Sequence, residues 1–201
     1  MIVASGVIGY LIGSLPLGYL AARRWAGVDL RHVGSGNVGA TNALRVSGIA
    51  LGLVVIAVDV AKGFVSVAVA GLVAPSESAA VAAGVAAVTG HMFPFWLGGR
   101  GGKGVATAAG AFGLLSPAAT VCAAAAFAVA AGATRFVSAG SMVAAIALPL
   151  AATAFTASPE VVTGGIVAAV LIVWRHRGNL GRMWRGTEPR LGRPEAGVSR
   201  A

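Results

Sequence analysis

Gly104 to Gly132 reads GVATAAGAFGLLSPAATVCAAAAFAVAAG, with no charged residue and a Ser116-Pro117 step near its middle. A soluble domain has no use for so long an uncharged apolar run, whereas a bilayer core requires one. The stretch is long enough for one generous span, but Pro117 splits it. Charge in the flanking loops decides between one crossing and two. Thr134-Arg135 carries a cation and belongs inside, while Ala157-Ser158-Pro159-Glu160 carries an acid without a cation and belongs outside. Both placements hold only if the split stretch goes in and comes back as two short helices, which protein or a polar cavity must cover.

Working outward, the remaining spans fall at about 2–22, 46–73, 79–95, 138–156 and 161–174. The first ends at Arg23-Arg24, so its N-terminal end lies outside. No Lys or Arg precedes it, so it is expected to be a retained helix and not a signal peptide. The second is longer than a bilayer requires, and is therefore tilted, broken near Gly63, or partly interfacial. The turn at Ala74-Pro75-Ser76-Glu77-Ser78 has no cation and is external. The expected fold is an all-α integral membrane protein of about seven helices, some short, with the N-terminus outside and the C-terminus cytoplasmic. Residues 1–188 form one multi-pass domain, and 189–201 form a basic, flexible tail on the cytoplasmic side.

Composition agrees. Of 201 residues, 57% are hydrophobic and only 10% charged, and the mean hydropathy is +0.86. The net charge of +9 sits in short loops without interleaved aromatics, which argues against nucleic acid and for an anionic leaflet or substrate. The lone Cys122 has no disulfide partner and is expected to pack as a small hydrophobe. One Cys and three scattered His lack metal-ligand spacing, so neither metal nor cofactor is expected.

Three polar segments interrupt the apolar chain. They are Gly34-Ser35-Gly36-Asn37-Val38-Gly39-Ala40-Thr41-Asn42 with Arg45, then Gly90-His91 followed by Gly98-Gly99-Arg100-Gly101-Gly102-Lys103-Gly104, and finally Arg175-His176-Arg177-Gly178-Asn179-Leu180-Gly181-Arg182 with Gly186-Thr187-Glu188. In the topology above all three fall on one side of the membrane, with Ser138 and Ser141. Glycines let backbone N–H groups approach a phosphate, and Arg45 offers it a forked donor. The second segment resembles a phosphate loop without being a Walker motif: Gly104 stands where Ser or Thr would hold magnesium. That argues against nucleotide hydrolysis and leaves phosphate binding open, beside helix-packing glycines.

His176 and Asn179 share a face if their helix continues, and Arg175, Arg177, Arg182 and Arg185 read as membrane-surface anchors. Asp59 and Lys62, three apart inside a span, must pair or face a polar cavity. Thr134, Ser138 and Ser141 begin the next helix and either cap it, the preferred reading, or touch a ligand. Around Ser35 there is neither an aspartate partner nor a nucleophile elbow. Any reaction is therefore expected either to need little beyond orientation and charge neutralisation or to use the substrate's own phosphate as the proton acceptor.

Together, the strings Ser35 to Arg45, Gly90 to Thr107 and Arg175 to Glu188 resemble the three motifs of the bacterial acyl-phosphate:glycerol-3-phosphate acyltransferase family, PlsY. The resemblance spans nearly the whole chain, in order. It implies transfer of a fatty acyl group from acyl phosphate to the 1-hydroxyl of sn-glycerol 3-phosphate, with 1-acylglycerol 3-phosphate and phosphate as products. This is the first step of phospholipid biosynthesis. It also implies a seven-helix fold in the bacterial cell membrane with the active site facing the cytoplasm. Acyl phosphate, glycerol 3-phosphate and the bilayer are the implied partners, nucleic acid is not, and the soluble enzyme that makes acyl phosphate is a further candidate. Ser35, Arg45, His176 and Asn179 are the expected catalytic residues. Asn37, Gly101, Gly102, Lys103, Gly104 and Ser141 are expected at the substrate phosphate, and His91, Asn42, Glu188, Asp59 and Lys62 behind them. The rival reading is a small organic-phosphate transporter or channel. It would want a polar path and an internal repeat, and only Gly36-Asn37-x-Gly39 and Gly178-Asn179-x-Gly181 echo each other.

Overall fold

The computed structural model describes residues 1–192, and these residues contain helices and turns but no strand. Helix α1 (Ile2–Ser14) ends at Leu15-Pro16, where proline cannot continue the ladder, and α2 (Leu17–Ala26) resumes at once. The first span is thus broken, a feature the sequence reading treated as continuous. A loop leads to α3 (Ala40–Ser47), and Gly48, at φ +87°, turns the chain into α4 (Ile49–Val73). The break in this region is therefore at Gly48, and α4 runs unbroken through Gly63.

Ser76 caps α5 (Glu77–Met92) by accepting the Ala79 N–H at 3.3 Å, and Glu77 complements the helix dipole there. A 3-10 turn, Phe95–Leu97, precedes the glycine loop. Then come α6 (Val105–Leu115), α7 (Pro117–Thr134), α8 (Val137–Ala154), α9 (Pro159–Arg175) and α10 (Arg177–Trp184). The break at Ser116-Pro117 falls where the sequence put it, but the two halves are unequal. With 11 residues, α6 spans roughly 16 Å and cannot cross alone, while α7 has 18 residues and can.

Five segments are long and apolar enough to cross a membrane: Ile2–Ala26, Ile49–Val73, Glu77–Leu97, Pro117–Thr134 and Val137–Ala154. The pair α9 and α10, bent by 48°, makes a sixth, and α6 adds a short apolar helix. Large apolar side chains such as Leu11, Leu72, Val121, Val129, Leu150 and Val170 are exposed over the outside of the bundle. An outer face this oily is stable only against lipid. Cys122 lies on this face, exposed, and does not pack in the core as expected.

Small residues bring the helices into backbone contact, as membrane helices without a hydrophobic driving force require. Gly9 and Gly13 of α1 lie directly on the Ala83 and Ala87 backbone of α5. Gly63 of α4 faces the Thr107 carbonyl of α6, and Gly110 of α6 faces the Val60 carbonyl of α4; a Cβ at either would collide. Gly63 is thus a packing position. Phe112, Met92, Val88, Val161 and Ile172 fill the larger core.

Candidate active site

The first segment is an ordered loop tied to α3. Asn42, 2% exposed, accepts the Ser35 N–H at 2.9 Å through Oδ1 and donates through Nδ2 to the Leu30 and Val33 carbonyls at 3.1 and 3.0 Å. Gly34 and Gly36 adopt φ of +57° and +69° here, which glycine does at no steric cost. The result holds Ser35 exposed at the loop tip. Asn37 accepts the Gly39 N–H at 2.9 Å and donates to the Gly101 carbonyl at 3.4 Å, joining the first segment to the second. Below the loop, Asp29 is held well under the usual carboxylate range, first by the Arg31 side chain, which pairs with it at 2.7 Å. His32 is exposed on the same loop.

The second segment folds back on the end of α5. Gly101 and Gly102 donate to the Met92 and His91 carbonyls at 3.2 and 3.1 Å. A Cβ at Gly102 would strike the His91 ring, and one at Gly101 the His91 carbonyl. Gly104, at φ +82°, caps α6 against Met92 and Val88. These glycines are therefore required by backbone packing as well as by any approach of phosphate. His91 Nδ1 lies 3.3 Å from Asp59 Oδ1, the same oxygen that Lys62 pairs with at 2.9 Å.

The third segment brackets the second. Arg175 donates to the Gly101 carbonyl at 2.8 Å and to the Gly102 carbonyl at 3.0 and 3.2 Å, and stacks over Phe93. The chain then bends at His176, so α9 does not continue straight into α10; both His176 and Asn179 are nevertheless buried. His176 Nδ1 lies 2.8 Å from the Ile172 carbonyl. A carbonyl can only accept, so Nδ1 carries the proton and Nε2 of the neutral ring is left as the acceptor.

Glu188 is the hub of the segment. Its Oε1 accepts from Ser138 and from Asn179 Nδ2, both at 2.6 Å, and its Oε2 accepts from Arg182 at 2.8 Å. Because a carboxylate only accepts, the Asn179 amide must turn its NH2 to Glu188 and its oxygen to Lys103, whose Nζ donates at 2.6 Å. These partners keep Glu188 below its usual value despite burial, through hydrogen bonds from Ser138 and Asn179 and the Arg182 charge. Burial pushes Lys103 down to about 8; Arg182, Arg45 and Arg175 push the same way, and Glu188 opposes them.

Three arginines and one carboxylate thus act on Lys103 where the three segments meet. Three of the residues responsible do more than their sequence pattern implies. Arg175 and Arg182 were expected as surface anchors, yet one clamps the glycine loop and the other holds Glu188. Ser138 was expected as a cap and instead donates to Glu188, while α8 has no side-chain cap. Their place inside the motif strings was the available signal for the two arginines. Ser141, one turn beyond Ser138, is buried and donates its hydroxyl to the Val137 carbonyl at 2.9 Å. The start of the tail is tied down too: Leu191 exchanges hydrogen bonds with Arg135 at 2.7 and 3.0 Å. The rest of the tail, 193–201, lies outside the described residues.

A helical bundle with a lipid-facing exterior and a cationic, glycine-lined cluster defines an integral membrane protein that handles an anionic headgroup. Glycerol-3-phosphate acyltransferase is the family that matches residues 3–186. Similar proteins bear the same name in Synechococcus sp. (strain CC9902), 46% identical over 92% of this chain and 92% of that one, and in Anaeromyxobacter sp. (strain Fw109-5), 45% identical over 91% and 93%. Two crystal structures of PlsY (YgiH), an integral membrane glycerol 3-phosphate acyltransferase, are similar throughout. The glycerol 3-phosphate form has a TM-score of 0.88 and 37% identity, covering 95% of this chain and 96% of that one. The lysophosphatidic acid form has a TM-score of 0.87 and 35% identity, covering 95% of each. The chain belongs to the glycerol-3-phosphate acyltransferase family: it is a multi-pass membrane enzyme of acyl transfer in phospholipid biosynthesis, which sets the transporter reading aside.

Proposed function

We propose that the acyl donor is acyl phosphate and that the cluster around Lys103 holds the two phosphorylated substrates together. Each substrate carries a phosphate of about −1.5 to −2 charge near neutrality, so the two repel. The observation that carries the reading is that Arg45, Arg175 and Arg182 all lie near enough to act on Lys103, with Glu188 the one carboxylate among them. Acyl phosphate is already an activated mixed anhydride, so the protein has mainly to orient its substrates and neutralise them.

In this reaction the C1 hydroxyl oxygen of glycerol 3-phosphate bonds to the acyl carbon. The bond from that carbon to the phosphate oxygen breaks, and the hydroxyl proton ends on the departing phosphate. Ser35, exposed at its loop tip, and Arg45 face the substrate phosphates, and Lys103 with the Gly101–Gly104 backbone holds the glycerol phosphate. His176 and Asn179 position the hydroxyl, with Asn37 and Ser141 bordering the same pocket. Asn42 and Glu188 act from behind, the first on the Ser35 loop and the second on Asn179. Arginines at the ends of α2, α3 and α9, and acids Glu77 and Glu160 at the starts of α5 and α9, favour a cytoplasmic site, an external N-terminus and a cytoplasmic C-terminus in the bacterial plasma membrane. The soluble enzyme that makes acyl phosphate is the further partner this reading implies.

The test is donor chemistry. Purified enzyme in detergent is given glycerol 3-phosphate with either an acyl phosphate or an acyl thioester, and lysophosphatidic acid is measured. Product from acyl phosphate alone, with one phosphate released per acyl transferred, is expected. Equal or better turnover from the thioester would overturn the donor assignment.

A further inference from the structure

We infer that Asp59, Lys62 and His91 form a positioning unit, built inside the membrane, that sets the height of the loop assigned above to the glycerol phosphate. The three side chains come from α4 and the end of α5 and are only 4%, 6% and 7% exposed. A charge within a span costs on the order of 2.5–3.5 kcal/mol or more, so an Asp-Lys pair alone could satisfy itself there. His91 goes further. Its Nδ1 contacts the Asp59 oxygen that Lys62 also uses, and its other edge, Nε2 and Cε1, lies against Gly102 where a Cβ would be. Its carbonyl accepts the Gly102 N–H at 3.1 Å.

The imidazole is therefore a wedge, with a carboxylate fixing one edge and the glycine loop resting on the other. A small cavity of about 10 Å³, lined by Ser14, Tyr19, Asp59, Lys62, His91 and Pro94, adjoins the ring. What rests on the wedge is the same backbone whose carbonyls receive Arg175, followed directly by Lys103. A shift of the ring is passed to both cations. The inference rests on the reading of this loop as the glycerol phosphate site. His91 acts through the loop and touches no reacting atom.

The test is a double-mutant cycle on Gly102 and His91, with glycerol 3-phosphate varied at saturating acyl donor and folding followed by thermal unfolding in detergent. In the wild-type background Gly102→Ala collides with the ring and is expected to raise KM for glycerol 3-phosphate tenfold or more, with a smaller change in kcat. In a His91→Ala background, where the obstacle is gone, adding Gly102→Ala is expected to cost less than threefold. The same penalty in both backgrounds overturns the inference while leaving the site reading intact. No KM change from Gly102→Ala in the wild-type background removes the site reading and the inference with it.

A second arm replaces the pair together, Asp59→Leu with Lys62→Met, so that no buried charge is stranded. Here KM for glycerol 3-phosphate is expected to rise fivefold or more, and Gly102→Ala to be partly relieved. An unchanged KM limits Asp59 and Lys62 to packing and overturns their part.

Discussion

The alkaline limb of the pH profile reports on Lys103 directly. Only its ammonium form attracts a phosphate, and burial, reinforced by Arg182, Arg45 and Arg175, brings its pKa down to about 8. The attraction is therefore complete well below pH 8 and is lost as the pH rises through that value. For kcat/KM, which reports the free enzyme, a plateau is expected below about pH 8, then a fall of about tenfold per pH unit. The acid side is set elsewhere, by protonation of the substrate phosphates near pH 6. Two perturbations separate Lys103 from other causes. Lys103→Arg carries a guanidinium that stays charged above pH 12, so the alkaline fall should vanish even though overall activity drops. Glu188→Gln removes the one group that raises the Lys103 value, so the inflection should move to lower pH. Rates are taken as lysophosphatidic acid formed, with enzyme-free hydrolysis of acyl phosphate subtracted. A wild-type profile flat to pH 9.5, or a Lys103→Arg profile that falls at the wild-type pH, would refute the reasoning.

Arg45→Ala and Lys103→Ala should each lower kcat/KM by about 10- to 150-fold, the value of a charge-assisted hydrogen bond of about 1.5–3 kcal/mol, while the protein still inserts and melts normally. Near-normal turnover in both would remove them from the site. Asn179→Asp puts a second carboxylate 2.6 Å from Glu188 Oε1 and deletes the donor to it, so both activity and thermal stability should fall. Stability should drop by about 1–3 kcal/mol, read from thermal unfolding in detergent. Gly110→Val drives a side chain into the Val60 carbonyl of α4 and should destabilise the bundle by about 1–3 kcal/mol. Gly113→Ala, which meets nothing within 4 Å, is the control and should leave the melting curve in place.

Span positions were legible because hydropathy is local: the helices observed as α5, α8 and α9 lie within a few residues of their expected bounds. The break at Ser116-Pro117 was legible because proline and loop charge act in the sequence itself. Gly63 and Gly48 were not told apart, since a glycine in an apolar run breaks a helix or receives a neighbour depending on what packs there. Leu15-Pro16 carries the same proline signal as Pro117, but no loop charge beside it forces a break. In the candidate site, the polar company of Arg45, Lys103, His176, Asn179 and Glu188 marks them in the sequence as candidates. Arg175 is not so marked, because its partners are backbone carbonyls 73 and 74 residues away, and carbonyls leave no trace in side-chain pattern. His91 was placed behind the site without a contact. Only the fold shows its ring beneath Gly102.

The proposed chemistry requires one site assembled from three distant segments. A crystal structure of this enzyme with glycerol 3-phosphate bound tests that most directly. The predicted result is a phosphate within hydrogen-bonding distance of both Lys103 Nζ and the Arg45 guanidinium, with the C1 hydroxyl toward His176 and Asn179. A phosphate held instead by surface arginines such as Arg23 and Arg24, with Lys103 still bonded only to Asn179, would contradict it.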